Sequence, residues 1–251
     1  MGSDSLAAVA GEVVVCAACA RLRRHCLGVA RRGKREFRGW TYWGKPVPGF
    51  GDPDAEVLVV GLAPAAHGAN RTGRMFTGDS SGAWLARAMH RAGFASQPTS
   101  LARDDGLRLL GAYLTAPVRC APPQNKPTRG EIARCLPFLE RELALLPRVR
   151  AVVALGRIAF DVCRGLLRDR GADVRHARFA HGAVCATGPG HPALVASYHP
   201  SRQNTNTGKL TEAMLDQVFR TVRTLLEPEA PPSAVRRRRP AAGRRRGGGR
   251  V

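Results

Sequence analysis

The chain has 251 residues, and 44% of them are hydrophobic, which is enough to form the core of one large or two small domains. No apolar run reaches the ~18 to 20 residues of a membrane-spanning helix, and the amino terminus carries neither a secretory nor a myristoylation signal. We therefore expect a soluble cytoplasmic monomer with no membrane partner. The net charge of +21 favours a polyanionic partner such as nucleic acid.

Part of this charge lies in the last segment of the chain. Residues 230–251 contain eight arginines and no acidic residue, so residues 1–229 retain 21 − 8 = +13. Because the segment has little to bury, we expect a disordered tail that binds DNA phosphates without sequence preference. A merely solubilising extension is the alternative. The expected organisation is one folded domain over residues 1–229 and an arginine-rich tail over residues 230–251.

Hydrophobic patterning predicts strands that alternate with helices along the chain. Short apolar runs predict buried strands at three places, residues 56–60, 151–155 and 194–197. Periodic segments between and after them predict four helices, at residues 83–91, 131–146, 156–167 and 209–226, with Asp79 or Ser80 capping the first and Thr128 the second. This order predicts an α/β fold with three layers around a mostly parallel central sheet.

Two polar loops follow predicted strands. The loop at residues 61–82 is rich in glycine and also holds His, Asn, Arg and Asp, and the loop at residues 199–209 is polar and lacks acidic residues. Reactive loops of such folds leave the carboxyl ends of strands, so we expect both at one sheet edge. The first loop matches neither a Walker loop nor a dinucleotide-binding motif. Ordinary turn chemistry is the alternative for each loop taken singly.

Seven cysteines in a cytoplasmic chain argue against a disulfide framework and favour metal ligation. Cys16 and Cys19 form one close pair, and Cys120 and Cys135 bracket a proline-rich segment. Four such thiolates suit zinc or an iron–sulfur cluster, and their spacing does not choose between the two. The apolar surroundings of the remaining cysteines predict buried thiols at Cys163 and Cys185, whereas Cys26 is an alternative ligand.

Three features of the sequence together resemble the iron–sulfur uracil-DNA glycosylases, most closely their B type, or family 5. They are residues 61–79, residues 199–204 and the four cysteines, and the similarity extends over residues 12–226. The resemblance implies an α/β/α sandwich and a structural [4Fe-4S] cluster on Cys16, Cys19, Cys120 and Cys135. It also implies excision of uracil, and of hypoxanthine or xanthine, from double-stranded DNA in base-excision repair, leaving an abasic site.

Departures from the wider superfamily agree with the B type. Common glycosylases have Asp or Asn at the third residue of the first motif, where this chain has Ala63. The A type has Glu at the second residue and Asn four residues before the third cysteine, and here these positions are Leu62 and Ala116. The substitutions imply weaker discrimination in favour of uracil.

The remaining polar and aromatic residues suggest how such chemistry proceeds. Since a paired base is inaccessible, the nucleotide must flip out of the duplex, and Phe76 is expected to stack on it. His199 is expected to donate to the departing base anion, and Asn70 or Asp79 to hold the water. The other predicted substrate-binding residues are Gly61, Ala63, Asn125, Ser201, Arg202 and Asn204.

Each assignment has a structural alternative. Phe76 is also consistent with a core residue, His199 with a structural hydrogen bond, and Asn70 or Asp79 with a turn or helix cap. For the whole chain, the rival hypothesis is a non-catalytic nucleic-acid-binding protein with a four-cysteine zinc site. A nucleotide-dependent enzyme is disfavoured because the first loop lacks a phosphate-binding lysine.

Overall fold

A computed structural model describes residues 4–227, which form an α/β fold around one six-stranded sheet. The strands, in chain order, are β1 (Phe50–Gly51), β2 (Val57–Val60), β3 (Ala112–Thr115), β4 (Ala151–Leu155), β5 (Val184–Cys185) and β6 (Ala193–Ser197). Their order across the sheet is β1-β3-β2-β4-β6-β5. The four inner strands are parallel, and the two-residue edge strands pair antiparallel to them. The prediction of a mostly parallel sheet is confirmed.

Helices cover both faces of this sheet. Those of the described residues are α1 (Leu6–Val15), α2 (Ala20–Arg32), α3 (Ala69–Thr72), α4 (Ser80–Arg91), α5 (Arg129–Ala144), α6 (Arg157–Asp169), α7 (Arg202–Asn206) and α8 (Glu212–Leu226). Val57 and Val59 of β2 pack in one core with α4 and α8. Leu58 and Val60, which point the opposite way, pack in a second core with α5 and α6. The molecule is therefore the expected three-layer sandwich.

Capping residues set the helix starts close to the predicted ones. Asp79 accepts a hydrogen bond from the Gly82 amide at 2.8 Å and begins α4. Thr128 and Glu131 form a reciprocal capping box, so α5 begins at Arg129. The last helix begins at Glu212 rather than at residue 209, because Thr211 caps it.

Four of the described helices and three strands were not predicted from the sequence: α1 and α2 at the amino terminus, α3 and α7 within the predicted polar loops, and β1, β3 and β5. Helix α1 packs against α5, and Arg141 of α5 pairs with Asp4 and Glu12. Helix α2 lies beside α3, which brings the Cys16–Cys19 pair next to the segment after β3. No helix within residues 4–227 is long and apolar enough to span a bilayer. The predicted tail at residues 230–251 lies outside the described residues.

Candidate functional site

The two polar loops meet at the carboxyl edge of the sheet, as predicted. Residues 61–82 follow β2 and His199 follows β6, on either side of β4. Between them is a cavity whose lining combines the two loops with the residue after β3; it comprises Ala63, Pro64, Ala65, Ala69, Met75, Phe76, Asp79, Ser81, Ala116 and His199. We call it the base cavity. Its lining includes one aromatic ring, one carboxylate and one imidazole.

Phe76 forms an aromatic wall of the base cavity. Its backbone has φ of +49°, an uncommon conformation for a bulky residue, and its ring centroid lies 6.1 Å from that of His199. A Cβ atom at Gly61 would lie 2.5 Å from Phe76 Cζ, and one at Gly82 would lie 2.1 Å from the Phe76 carbonyl oxygen. The conformation of Phe76 therefore requires glycine at both positions, because a side chain there would clash with its ring or its carbonyl oxygen.

His199 faces the cavity in its neutral form. The side chain is half-buried, and burial lowers its pKa to about 4. Neither ring nitrogen has a hydrogen-bond partner among residues 4–227, so both remain free for a ligand. A neutral imidazole can donate from one nitrogen and accept at the other.

Asp79 is both a helix cap and part of the cavity wall. Its Oδ1 accepts the Gly82 amide, while a Cβ at Gly68 would come within 2.0 Å of its Oδ2. Burial raises the pKa of this carboxyl, although amide hydrogen bonds and the nearby Arg71 and Arg202 charges oppose the shift. The predicted cap and the predicted catalytic position are thus the same residue.

Six of the predicted site residues are not in the lining of the base cavity: Gly61, Asn70, Asn125, Ser201, Arg202 and Asn204. The Asn70 side chain is buried, and its Nδ2 donates to the carbonyl oxygens of Cys26 and Ala66, both at 3.3 Å. Of the two candidates for holding water, only Asp79 is among the lining residues. Asn125 is exposed, with φ of +57°, in a short turn after β3, and its substrate-binding role stays a prediction.

The second loop folds into a short helix beside the cavity. Ser201 caps α7, and Arg202 Nε lies 3.4 Å from Ser80 Oγ at the start of α4. Asn204 Nδ2 donates to the His199 carbonyl oxygen at 2.9 Å. The structure therefore gives Asn204 a part in positioning His199, and its predicted substrate contact stays untested.

Two buried arginines, Arg71 and Arg74, stabilise the first loop, and their role was not predicted from the sequence. Arg71 donates to the carbonyl oxygens of His67 at 2.9 Å and Gly78 at 2.7 Å, and its guanidinium stacks on Phe37 and Trp40. Arg74 pairs with Asp105, with Nη2 2.8 Å from Oδ1. The alternation of basic and aromatic residues at 34–43 was the available signal for the stacking partners.

The four cysteines predicted as ligands all line a second cavity, separate from the base cavity. Cys16, Cys19, Cys120 and Cys135 surround it together with Arg23, Arg119 and Arg134. Arg23 Nη1 lies 4.0 Å from Cys120 Sγ. We call it the cysteine cavity. Several thiols close to fixed cations form a donor set suited to an anionic metal–thiolate group.

The other cysteines lie outside the cysteine cavity. Cys26 lies on the buried face of α2, and its Sγ lies 3.6 Å from the Ala121 carbonyl oxygen. Cys163 is a buried thiol as predicted, but Cys185 is only half-buried. The prediction for Cys185 was wrong because its strand, β5, has only two residues and lies at the edge of the sheet, where it pairs with a neighbouring strand on one side only.

Comparison with known proteins identifies the family. The sequence pattern described as "Uracil DNA glycosylase superfamily" matches residues 48–223. A type-5 uracil-DNA glycosylase from Thermus thermophilus is 53% identical over 213 residues, covering 85% of this chain and 94% of that protein. One from Mycobacterium leprae is 48% identical over 226 residues, covering 89% and 97% respectively. The chain belongs to the uracil-DNA glycosylase superfamily.

Within this superfamily, the similarity is greater to type-5 than to type-4 relatives. A type-4 uracil-DNA glycosylase from Pyrobaculum aerophilum is 30% identical over 159 residues, or 62% of this chain, whereas a type-5 protein from the same organism is 47% identical over 83% of it. The resemblance to the B type, or family 5, is confirmed. Family membership places the chain among hydrolases of N-glycosyl bonds in base-excision repair, and it does not support the non-catalytic alternative.

Proposed function

We propose that the protein excises uracil, hypoxanthine and xanthine from double-stranded DNA and leaves an abasic site. One observation carries the proposal. Phe76, Asp79 and His199, which come from two distant loops, all line the base cavity. An aromatic face can stack on a flipped base, and a half-buried carboxylate and a neutral imidazole can act on the water and on the departing base.

In the proposed mechanism, each of these residues has one step. Phe76 stacks on the flipped base, which lies between it and the loop of His199. The bond between sugar and base breaks with negative charge developing on the base, and His199 donates a hydrogen bond to that charge. Asp79 stands in for the carboxylate that is missing at Ala63: it holds the attacking water near the cationic sugar and accepts the proton that the water loses as its oxygen bonds to the sugar.

Small side chains support a broad choice of base. Ala63 and Ala116 both line the base cavity, and neither has a polar group that reads the edge of a base. A site without such groups cannot strongly reject an analogue through unpaired donors or acceptors. Selection then depends on how easily a base leaves the duplex, and deaminated bases in mismatches leave it more easily than paired ones.

The test is single-turnover excision from oligonucleotides of one sequence that contain uracil, hypoxanthine or xanthine, each in single-stranded and duplex form. Alkaline cleavage reveals the abasic product, and an Asp79→Asn, His199→Ala double variant provides the inactive control. We expect all three bases to be released from the duplex. Release of uracil alone would contradict the proposed base range, and release from single strands alone would contradict the duplex preference.

We also propose that Cys16, Cys19, Cys120 and Cys135 hold a structural [4Fe-4S] cluster. They line one cavity, yet no three His, Cys, Asp or Glu side chains of residues 4–227 are arranged to hold a single metal ion. Zinc requires all four sulfurs about 2.3 Å from one ion, whereas each cysteine of a cubane binds a different iron. The resemblance to the iron–sulfur glycosylases favours the cluster, and zinc is the alternative that metal analysis distinguishes from it.

Metal analysis of the purified protein tests this cofactor. We expect a brown protein that contains iron and acid-labile sulfide. Cys120→Ser should impair folding more than catalysis, because a cluster bound by Cys120 would connect the start of α2 to the segment after β3. Colourless protein with stoichiometric zinc would contradict the cluster. A stable, fully metallated Cys120→Ser protein would remove Cys120 from the ligand set.

A further inference from the structure

Arg119 is a buried cation whose hydrogen-bonding capacity is largely unused. The residue is 1% exposed, and its Nη2 lies 2.5 Å from Glu142 Oε2. Its Nε and Nη1 are buried without any partner among the described residues. Because a guanidinium stays protonated in proteins and buried donors are normally satisfied, two unpaired nitrogens in one side chain indicate a missing acceptor.

The position of Arg119 indicates what that acceptor is. The residue immediately precedes Cys120, and it lines the cysteine cavity together with all four predicted ligands. Its backbone carbonyl accepts the Val47 amide at 2.8 Å, so the chain is fixed at this point. Thiolates and the sulfides of an iron–sulfur cluster are anionic acceptors, and hydrogen bonds to sulfur tune such clusters.

We propose that Nε and Nη1 of Arg119 donate hydrogen bonds to sulfur atoms of the cluster and thereby retain it in the protein. This inference rests on the cluster proposed above. The third nitrogen, Nη2, keeps the side chain in place through Glu142, whose Oε2 also accepts Thr115 Oγ1 at 2.6 Å. Arg119 is thus a positioning and charge-balancing residue and does not touch the DNA base.

The same network connects the cysteine cavity to the base cavity. Thr115 ends β3, its carbonyl oxygen accepts the Gly61 amide at 2.9 Å, and Ala116, the next residue, lines the base cavity. Loss of the cluster would leave two buried donors unsatisfied directly behind this strand end. We therefore expect cluster loss to loosen the packing around Gly61 as well as around the cysteines.

The experiment compares three variants of the full-length holoprotein. Arg119→Lys keeps a charge near Glu142 but loses the forked donors. Arg119→Met combined with Glu142→Gln removes the donors and also the carboxylate that would otherwise be left unpaired. Arg24→Met is the matched control, because Arg24 is exposed on α2 and does not line the cysteine cavity. The readouts are iron and sulfide content, the rate at which a chelator bleaches the visible absorbance, and the Fe–S stretching frequencies in H₂O and D₂O.

We expect both Arg119 variants to lose the cluster on the order of 10- to 100-fold faster than the wild type, the usual effect of removing a hydrogen bond from a metal ligand. Their Fe–S frequencies should lose part of their sensitivity to D₂O, and Arg24→Met should behave as the wild type. If the double variant retained the cluster as long as the wild type does, the only role of Arg119 would be its ion pair with Glu142, and the inference would be wrong. Arg119→Lys decides the question alone if the double variant does not fold. A wild-type protein without iron and sulfide would instead overturn the cluster itself.

Discussion

His199 is the residue whose removal should affect the chemistry most directly. His199→Ala takes one preorganised donor from the base cavity, and we expect single-turnover excision of uracil to fall by two to three decades, or roughly 3 to 4 kcal/mol by analogy with oxyanion-hole donors. Binding to an abasic duplex should change far less, since phosphate contacts supply most of the affinity. Wild-type rates in His199→Ala would remove the residue from the mechanism.

The Ala63→Asp variant, which adds a second carboxylate to the base cavity, provides a comparison for the His199→Ala result. Ala63→Asp restores the acidic residue found in common glycosylases, and it is expected to raise uracil excision by holding water. It should not rescue His199→Ala, because a carboxylate cannot donate a hydrogen bond to a departing anion. Full rescue in the double variant would show that water activation, and not anion stabilisation, limits the rate.

The pH dependence of excision should follow Asp79 and not His199. Burial lowers the pKa of His199 to about 4, so the imidazole stays neutral between pH 5 and pH 8. Burial raises the pKa of Asp79, so this carboxylate is protonated at a higher pH than a free aspartate, and excision should decline as the pH falls through that value. Asp79→Asn should be slower and should lose this acid limb. A step near pH 6.5 that persists in Asp79→Asn would contradict a neutral His199.

The sequence predicted some site residues better than others. Phe76, Asp79 and His199 lie next to glycines or at strand ends, where the backbone dictates which way a side chain faces. Asn70 shares the loop with Asp79, but its direction depends on the carbonyl oxygen of Cys26, a contact across 44 positions of the chain. No local pattern contains that information.

Within the first loop, we expect Gly61 to support excision by leaving room for the Phe76 ring. In Gly61→Ala the new Cβ would lie 2.5 Å from Phe76 Cζ, so the ring must move, and single-turnover excision should fall roughly 10- to 100-fold. Gly165→Ala is the matched control, since a Cβ there meets nothing within 4 Å and α6 should gain ~0.5–1 kcal/mol.

A double variant separates this effect from general damage to the loop. If Gly61→Ala acts only by displacing the ring, adding it to Phe76→Ala should cause no further loss of rate. Additive losses would show that Gly61 has a role apart from Phe76. Thermal unfolding of each variant shows whether the fold is retained.

The predicted elements were those with long or strongly apolar patterns. Strand β4 was predicted with its observed bounds because its five residues are continuously apolar and entirely buried. Strand β3 was missed because its four residues include the polar side chains of Tyr113 and Thr115 and a proline-rich segment follows it. Arg71, Arg74 and Arg119 are buried against expectation, since burial of an arginine requires partners from distant parts of the chain.

For the whole molecule, charge should govern DNA affinity. Deleting residues 230–251 removes eight arginines, and we expect weaker duplex binding with a shallower dependence on salt, because fewer counterions are released. Single-turnover excision at saturating protein should change little, since the base cavity lies within residues 61–199. Unchanged affinity and salt slope in the shortened protein would mean that the tail does not bind phosphates.

The parallel order of the inner strands also bears on synthesis. Strands β2 and β6, which carry Phe76 and His199 on the loops that follow them, lie on either side of β4, yet more than half of the chain is translated between them. Pairing across such separations is slow, because the intervening chain must be ordered first. A nascent chain that has not yet emerged beyond β6 therefore has an aromatic wall without an anion-stabilising donor. Base removal should begin only after the loop that follows β6 has been made, and products terminated before His199 should not create abasic sites.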